Sequence, residues 1–180
     1  MSKFSTKQLV YGAAAIALAM VTSMIKIFSL PMGGSVTLLS MLFIVLIGYW
    51  YGPAAGCIAG AAYGLLQLVI EPHFFTIPQM LVDYPLAFGA LGISGFFQNS
   101  KNGLTIGYFV GVLGRFFFAF LSGWIFFGSY AGAYGMAAPV YSFAYNGSYL
   151  GAEALITIVI INLPPVKKAL VYMKKMALGE

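Results

Sequence analysis

Charge is scarce in this chain of 180 residues: 7% are Asp, Glu, Lys or Arg, against about 25% in ordinary soluble domains. Four residues are acidic, one is histidine and one is cysteine. The lone Cys57 excludes an internal disulfide and reads as a small buried hydrophobe. With the internal acids spread over different depths, the chain lacks the groups of an acid/base pair or a metal centre, so neither an enzyme nor a metal or other cofactor is expected. No glycine-rich phosphate loop of the P-loop type occurs, which argues against nucleotide hydrolysis by this chain alone. No soluble segment is long enough to fold separately and no internal repeat is visible, so a single membrane-embedded domain over residues 1–180 is expected. The net charge of +5 does not point to nucleic acid, because the lysines flank apolar runs, where membrane topology accounts for them.

What the chain has instead is apolar length. Hydrophobic residues make up 61% of it, in uncharged runs close to the roughly 20 residues a helix needs to cross hydrocarbon. The runs are continuous rather than alternating, which excludes a β-barrel. The expected fold is all-α with six transmembrane helices: Leu9–Phe28, Val36–Tyr51 (short), Pro53–Ile70, Pro78–Phe97, Leu104–Phe127 and Val140–Leu163. Proline and glycine punctuate them at SLPMGGSVT, at YGP and at Pro164 and Pro165. Lys3, Lys7, Lys101, Lys167, Lys168, Lys174 and Lys175 fall on one side of such a six-span chain and Lys26 on the other, so both termini are expected in the cytoplasm.

Against this apolar background the polar residues stand out. Asp83, followed by Tyr84 and Pro85, sits in the fourth run, where a carboxylate costs roughly 2.5 to 3.5 kcal/mol at a helix centre. It reads either as a counter-charge for a ligand or as a group near enough to the helix end to meet water. The proposed topology gathers Asp83 and Tyr84, Tyr141, Ser142 and Asn146, and Ser122, Gly123 and Phe127 in the outer half, beneath loops carrying Gly33, Gly34, His73, Tyr130 and Tyr134. Such a gathering suits a pocket for a small molecule arriving from outside. Arg115 and Glu153 fall near the midplane and are expected to face each other as a structural ion pair, since either alone is costly in hydrocarbon. In the first run Ala13 and Ala17, like Ala15 and Ala19, are four apart and stack on one helix face. That face serves either internal packing or docking of another membrane subunit.

The segments PMGGSVTL, LVDYPLAFGALGISGFF, GRFFFAFLSGWIFFGSYA and YSFAYNGSYL together resemble the thiamine-specific substrate-binding subunits (S-components, the ThiT family) of energy-coupling-factor (ECF) transporters, and the resemblance covers nearly the whole chain. It implies a multi-pass protein of the bacterial plasma membrane that binds thiamine from the extracellular side. Energy would come from a separate transmembrane coupling subunit with two ATPase subunits. By the same resemblance Asp83 is the acidic ligand contact, Tyr84, Tyr141 and Asn146 its polar neighbours, Gly123 and Phe127 the lining of the ring site, and Ala13 and Ala17 the docking face.

Two positions depart from that pattern. Ala119 stands where relatives carry a His, and His73 where they often carry Tyr; the imidazole of His73 either serves the site from its loop or is simply solvated. Ala119 keeps a second reading open, a binding subunit for a thiamine precursor or another heterocyclic vitamin. A stand-alone secondary transporter is the other rival, although paired repeats and a proton relay are its usual marks.

Overall fold

The computed structural model describes residues 4–73 and 75–180; Lys3 of the charge count lies outside them. Helix α1 (Thr6–Ser23) opens with a capping box: Gln8 N–H donates to Ser5 Oγ at 3.2 Å and Ser5 N–H to Gln8 Oε1 at 3.0 Å. These reciprocal bonds satisfy amides that a helix start leaves without partners. The helix stops five residues before the expected Phe28. Residues 26–29 form strand β1 (Lys26–Ser29), which pairs antiparallel with β2 (Ser35–Thr37). The expected second span likewise loses its first residues, Val36 to the strand and Leu39 to a left-handed turn (φ 59°) before α2 (Ser40–Tyr51). A β-branched, aromatic run (Ile25, Ile27, Phe28) facing Val36 and Thr37 favours a ribbon, and Gly33 and Gly34, at φ 95° and 73°, supply the reversal between them.

The remaining long helices are α3 (Pro53–Ile70), α4 (Ile77–Phe97), α5 (Gly103–Phe126) and α6 (Ala138–Asn162), each within two residues of the expected start and within one of the expected end. Among the described residues these four are long and apolar enough to cross a membrane. A 3-10 segment, Gly128–Tyr134, links α5 to α6, and α7 (Pro164–Leu178) follows α6 after Leu163.

Helix α4 lies between α2 and α3 on one side and α5 on the other, and glycines set the spacing. On α3, Gly56, Gly60 and Gly64 recur every fourth residue. A Cβ added to them would run into Gly92 Cα, the Phe88 carbonyl and the Tyr84 carbonyl of α4 respectively. On α5, Gly107 and Gly111 meet the Ser94 and Leu91 carbonyls in the same way. Small residues at this spacing let backbones approach closely, which drives association where lipid supplies no hydrophobic force. Helix α2, 12 residues long, is enclosed along most of its length, with Met41, Ile44 and Val45 fully buried.

The close approach is testable. Gly60→Ala places a methyl against the Phe88 carbonyl and is expected to destabilise the fold by about 1 to 3 kcal/mol, seen as a lowered melting temperature in detergent. Gly12→Ala, with nothing within 4 Å of the added methyl, should leave it unchanged or slightly raised.

Candidate functional site

The site begins with a missing amide. Pro85 has no N–H to close an α-helical bond, and Val82–Leu86 winds as one wider π turn within α4. Such turns are frequent where a helix carries function, and this one carries Asp83 and Tyr84. Thr76 caps the start of α4, its Oγ1 accepting from Gln79 N–H at 3.3 Å. The wholly buried Gln79 side chain then ties three segments together. Its Oε1 accepts from Phe75 N–H at 2.7 Å, and its Nε2 donates to the His73 carbonyl at 3.2 Å and to Asp83 Oδ2 at 3.0 Å. Tyr84 fastens the same loop, its hydroxyl donating to the Glu71 carbonyl at 2.9 Å and accepting from His73 N–H at 3.0 Å.

Beside Asp83 opens a cavity of about 490 Å³. Of the residues that the proposed topology gathered, His73, Asp83, Tyr84, Gly123, Phe127, Tyr141, Ser142 and Asn146 line it, whereas Ser122, Gly33, Gly34 and Tyr134 are not part of its lining. Arg115 and Ala119 of α5 line it too, as do Met32 from the hairpin and Tyr130 from the 3-10 segment. One wall is a run of aromatic rings. Tyr134 stacks on Tyr141 at 5.3 Å, Tyr141 on Tyr145 at 5.9 Å, and Tyr145 meets Tyr149 edge to face at 5.7 Å. Opposite, Phe127 lies 5.6 Å from Phe75 and 6.1 Å from Tyr130. The hairpin turn covers this wall: side chains added at Gly33 and Gly34 would meet Tyr145 and Tyr149.

Asn146 is held in a fixed pose. Its Nδ2 donates to the Ala119 carbonyl at 3.2 Å and the Ser142 carbonyl at 3.0 Å, while its Oδ1 accepts from Tyr149 Oη at 3.2 Å. Ser142 Oγ donates to the Phe120 carbonyl at 2.7 Å. Gly123 is required here for packing as well as for space, because a Cβ would overlap Ser142 Oγ. An ionised carboxylate has about four acceptor positions, and Gln79 occupies one on Asp83, so acceptor capacity remains toward the cavity.

The expected Arg115–Glu153 ion pair is not formed. Among the described residues the ion pair is Lys26–Glu71, at 3.8 Å and exposed. The carboxylate of Glu153 instead accepts from Thr37 N–H at 3.0 Å, Thr37 Oγ1 at 2.7 Å and Ser40 Oγ at 3.3 Å, beside the start of α2. That is favourable ground for an anion, since a helix start carries partial positive charge. The Arg115 guanidinium lies 4.0 Å from the centre of the Phe88 ring, a cation–π contact. Both residues line a second, polar cavity of about 330 Å³ that shares His73, Tyr84, Arg115 and Tyr149 with the first. A polar space between them removes the need for direct contact.

Gln79, Tyr145 and Tyr149 were not singled out from the sequence. The spacing of four that joins Tyr141, Tyr145 and Tyr149 on one helical face is the signal that finds the two tyrosines; Gln79 has no comparable mark. On α1 the two small-residue pairs separate: Ala15 and Ala19 are buried against the bundle, and Ala13 and Ala17 are exposed.

Residues 9–173 match the family described as "Thiamine transporter protein (Thia_YuaJ)". The chain is 36% identical to the thiamine transporter ThiT of Bacillus subtilis (strain 168) over 165 residues, 84% of each chain. It is 27% identical to the thiamine transporter ThiT of Lacticaseibacillus paracasei (strain ATCC 334) over 122 residues, 58% of this chain and 60% of that one. Its fold is similar to that of ThiT from Listeria monocytogenes, with a TM-score of 0.70 and 25% identity over 88% of this chain and 94% of that one.

Separate anchoring of Arg115 and Glu153 has a measurable outcome. Glu153→Ala should speed hydrogen exchange in the β1–β2 hairpin, because Thr37 loses its acceptor, whereas Arg115→Gln should leave hairpin exchange as it is. Equal loosening by both substitutions would mean the two side chains act as one pair after all.

Proposed function

The chain belongs to the thiamine transporter protein family, and from that premise we propose that it binds thiamine in the cavity beside Asp83, as the substrate-capture S-component of an ECF importer. The observation that carries the proposal is the joining of one carboxylate with a wall of aromatic rings around a single cavity. Thiamine has a permanently cationic thiazolium, an aminopyrimidine with donors and acceptors, and a short hydroxyethyl arm. Asp83 balances the cation or accepts from the amino group. Phe127, Tyr84 and Tyr141 offer ring faces, each worth about 0.5 to 2 kcal/mol toward a cation as it loses water. Asn146 and Ser142 supply a polar edge, Gly123 leaves room for a ring, and His73 adds an imidazole from the loop.

The proposed topology is six crossings, by α1 to α6, with both termini cytoplasmic and the whole chain one membrane domain. Its support is charge. The hairpin, the loop after α3 and the 3-10 segment meet at the cavity end, with Lys26. Lys7, Lys101, Lys167, Lys168, Lys174 and Lys175 belong to the opposite end, as positive-inside sorting requires of a cytoplasmic face. Transport would be powered by a separate coupling subunit with two ATPase subunits, docking on the outward-facing Ala13 and Ala17.

Ala119 keeps one competitor alive. It lines the cavity without a polar side chain, which suits a thiamine precursor or another heterocyclic vitamin as well. Calorimetric titration of the purified protein with thiamine, its pyrimidine and thiazole halves, riboflavin and biotin separates these readings; thiamine is expected to bind tightest. Asp83→Asn should weaken that binding at least roughly tenfold, or about 1.4 kcal/mol, and an unchanged affinity removes Asp83 from the site. Ala13→Trp or Ala17→Trp should abolish uptake into cells while leaving titrated affinity intact; joint loss of both contradicts a docking role for that face.

A further inference from the structure

Helix α7 lies across the lysine-rich end of the bundle rather than continuing a span. Pro164 and Pro165 turn the chain after α6, and the contacts of α7 run over the ends of several other elements. Lys167 Nζ donates to Asn102 Oδ1 at 3.4 Å before α5, Lys174 Nζ to the Gln98 carbonyl at 2.8 Å after α4, and Tyr51 Oη, at the end of α2, to the Ala177 carbonyl at 3.0 Å. A helix crossing the ends of membrane spans lies along the membrane surface. Beneath it is a cleft of about 210 Å³ with two kinds of wall. Leu104, Ile161, Leu170 and Val171 form an apolar part, and Lys167 and Lys174 bring two ammonium groups to it.

Neither lysine has a carboxylate partner; the second contact of Lys174 is the Tyr49 ring, 4.0 Å away, and the ion pair among the described residues, Lys26–Glu71, belongs to the cavity end. The outer face of α7 mixes exposed Lys168 and Lys175 with exposed Tyr172 and Met176, the pattern of a helix seated at a membrane–water boundary. We propose that this cleft binds an anionic phospholipid, with the headgroup phosphate between Lys167 and Lys174 and the glycerol and upper acyl chain along Leu104, Ile161 and Val171. Juxtamembrane lysines attract anionic headgroups, and the apolar wall favours a lipid over a soluble anion, which has nothing to lay against it.

The test uses the full-length protein in mixed micelles and nanodiscs containing phosphatidylglycerol or phosphatidylcholine, with soluble glycerol phosphate as a third arm. Lipid retention is read by native mass spectrometry and backbone exchange over residues 164–178 by hydrogen–deuterium exchange. Phosphatidylglycerol is expected to be retained at least about fivefold over phosphatidylcholine and to slow exchange in α7, while glycerol phosphate does neither. Lys167→Gln with Lys174→Gln should abolish the preference, and Lys168→Gln with Lys175→Gln, outside the cleft, should keep most of it. If the first pair fails to fold, the lipid-dependent exchange of the unsubstituted protein decides. The proposal is overturned by equal retention of the two lipids, by equal loss in both lysine pairs, by protection from glycerol phosphate alone, or by protection of α7 that appears only when a protein partner is added.

Discussion

Everything in this molecule depends on how closely three helices can approach α4. Glycines on α3 and α5 remove the atoms that would hold the backbones apart, so α4 is gripped through main-chain surface on two sides. In lipid, where burial of apolar side chains gains little, such contact is a main source of cohesion. It also has a local effect. A π turn inside a helix is not the lowest-energy winding, and one held by Pro85 between rigid neighbours keeps a fixed shape. Asp83 is therefore held at a set angle to the cavity, and for the proposed ligand such preorganisation would lower the ordering cost of binding.

The buried polar groups divide by task. Gln79, Tyr84 and Glu153 hold the connections: the loop after α3 through the first two, the hairpin through the third. Asn146 and Ser142 lock α6 to the carbonyls of α5. Asp83 and Arg115 are different, because each keeps bonding capacity toward open space. The carboxylate and the guanidinium line one cavity, and intramembrane charge of this kind marks a candidate functional site.

Much of this was legible in the residues. Apolar length located α3 to α6 to within two residues at either end, and the rarity of intramembrane acid marked Asp83. Most of the polar and aromatic residues gathered with Asp83 share one cavity, because similar positions along several helices bring them to one level, but Ser122 and Tyr134 lie off it. The features that the residues do not show are those that depend on which distant segments meet. Arg115 and Glu153 share a depth, but depth does not fix azimuth, and Glu153 turned to Thr37 and Ser40. Residues 26–37 carry a hydropathy that suits either a helix end or a ribbon, and only the pairing of Phe28 with Val36 decides it. Helix α7 has an amphipathic, lysine-rich sequence with no long apolar run, so hydropathy alone does not mark it.

The shortness of α2 reaches further than its own packing. At 1.5 Å per residue its 12 residues span about 18 Å, well under the roughly 30 Å of hydrocarbon, and above its start lies the polar cavity bounded by Thr37, Ser40 and Glu153. Under the proposed topology the insulating layer would be thinner along α2 than through the lipid around it. In an energised cell, where a unit charge gains or loses about 2.3 kcal/mol per 100 mV across the full barrier, most of the voltage would fall over the lysine-rich half. If Asp83 holds the proposed cation, that cargo would feel little of the field until it moved toward the opposite face.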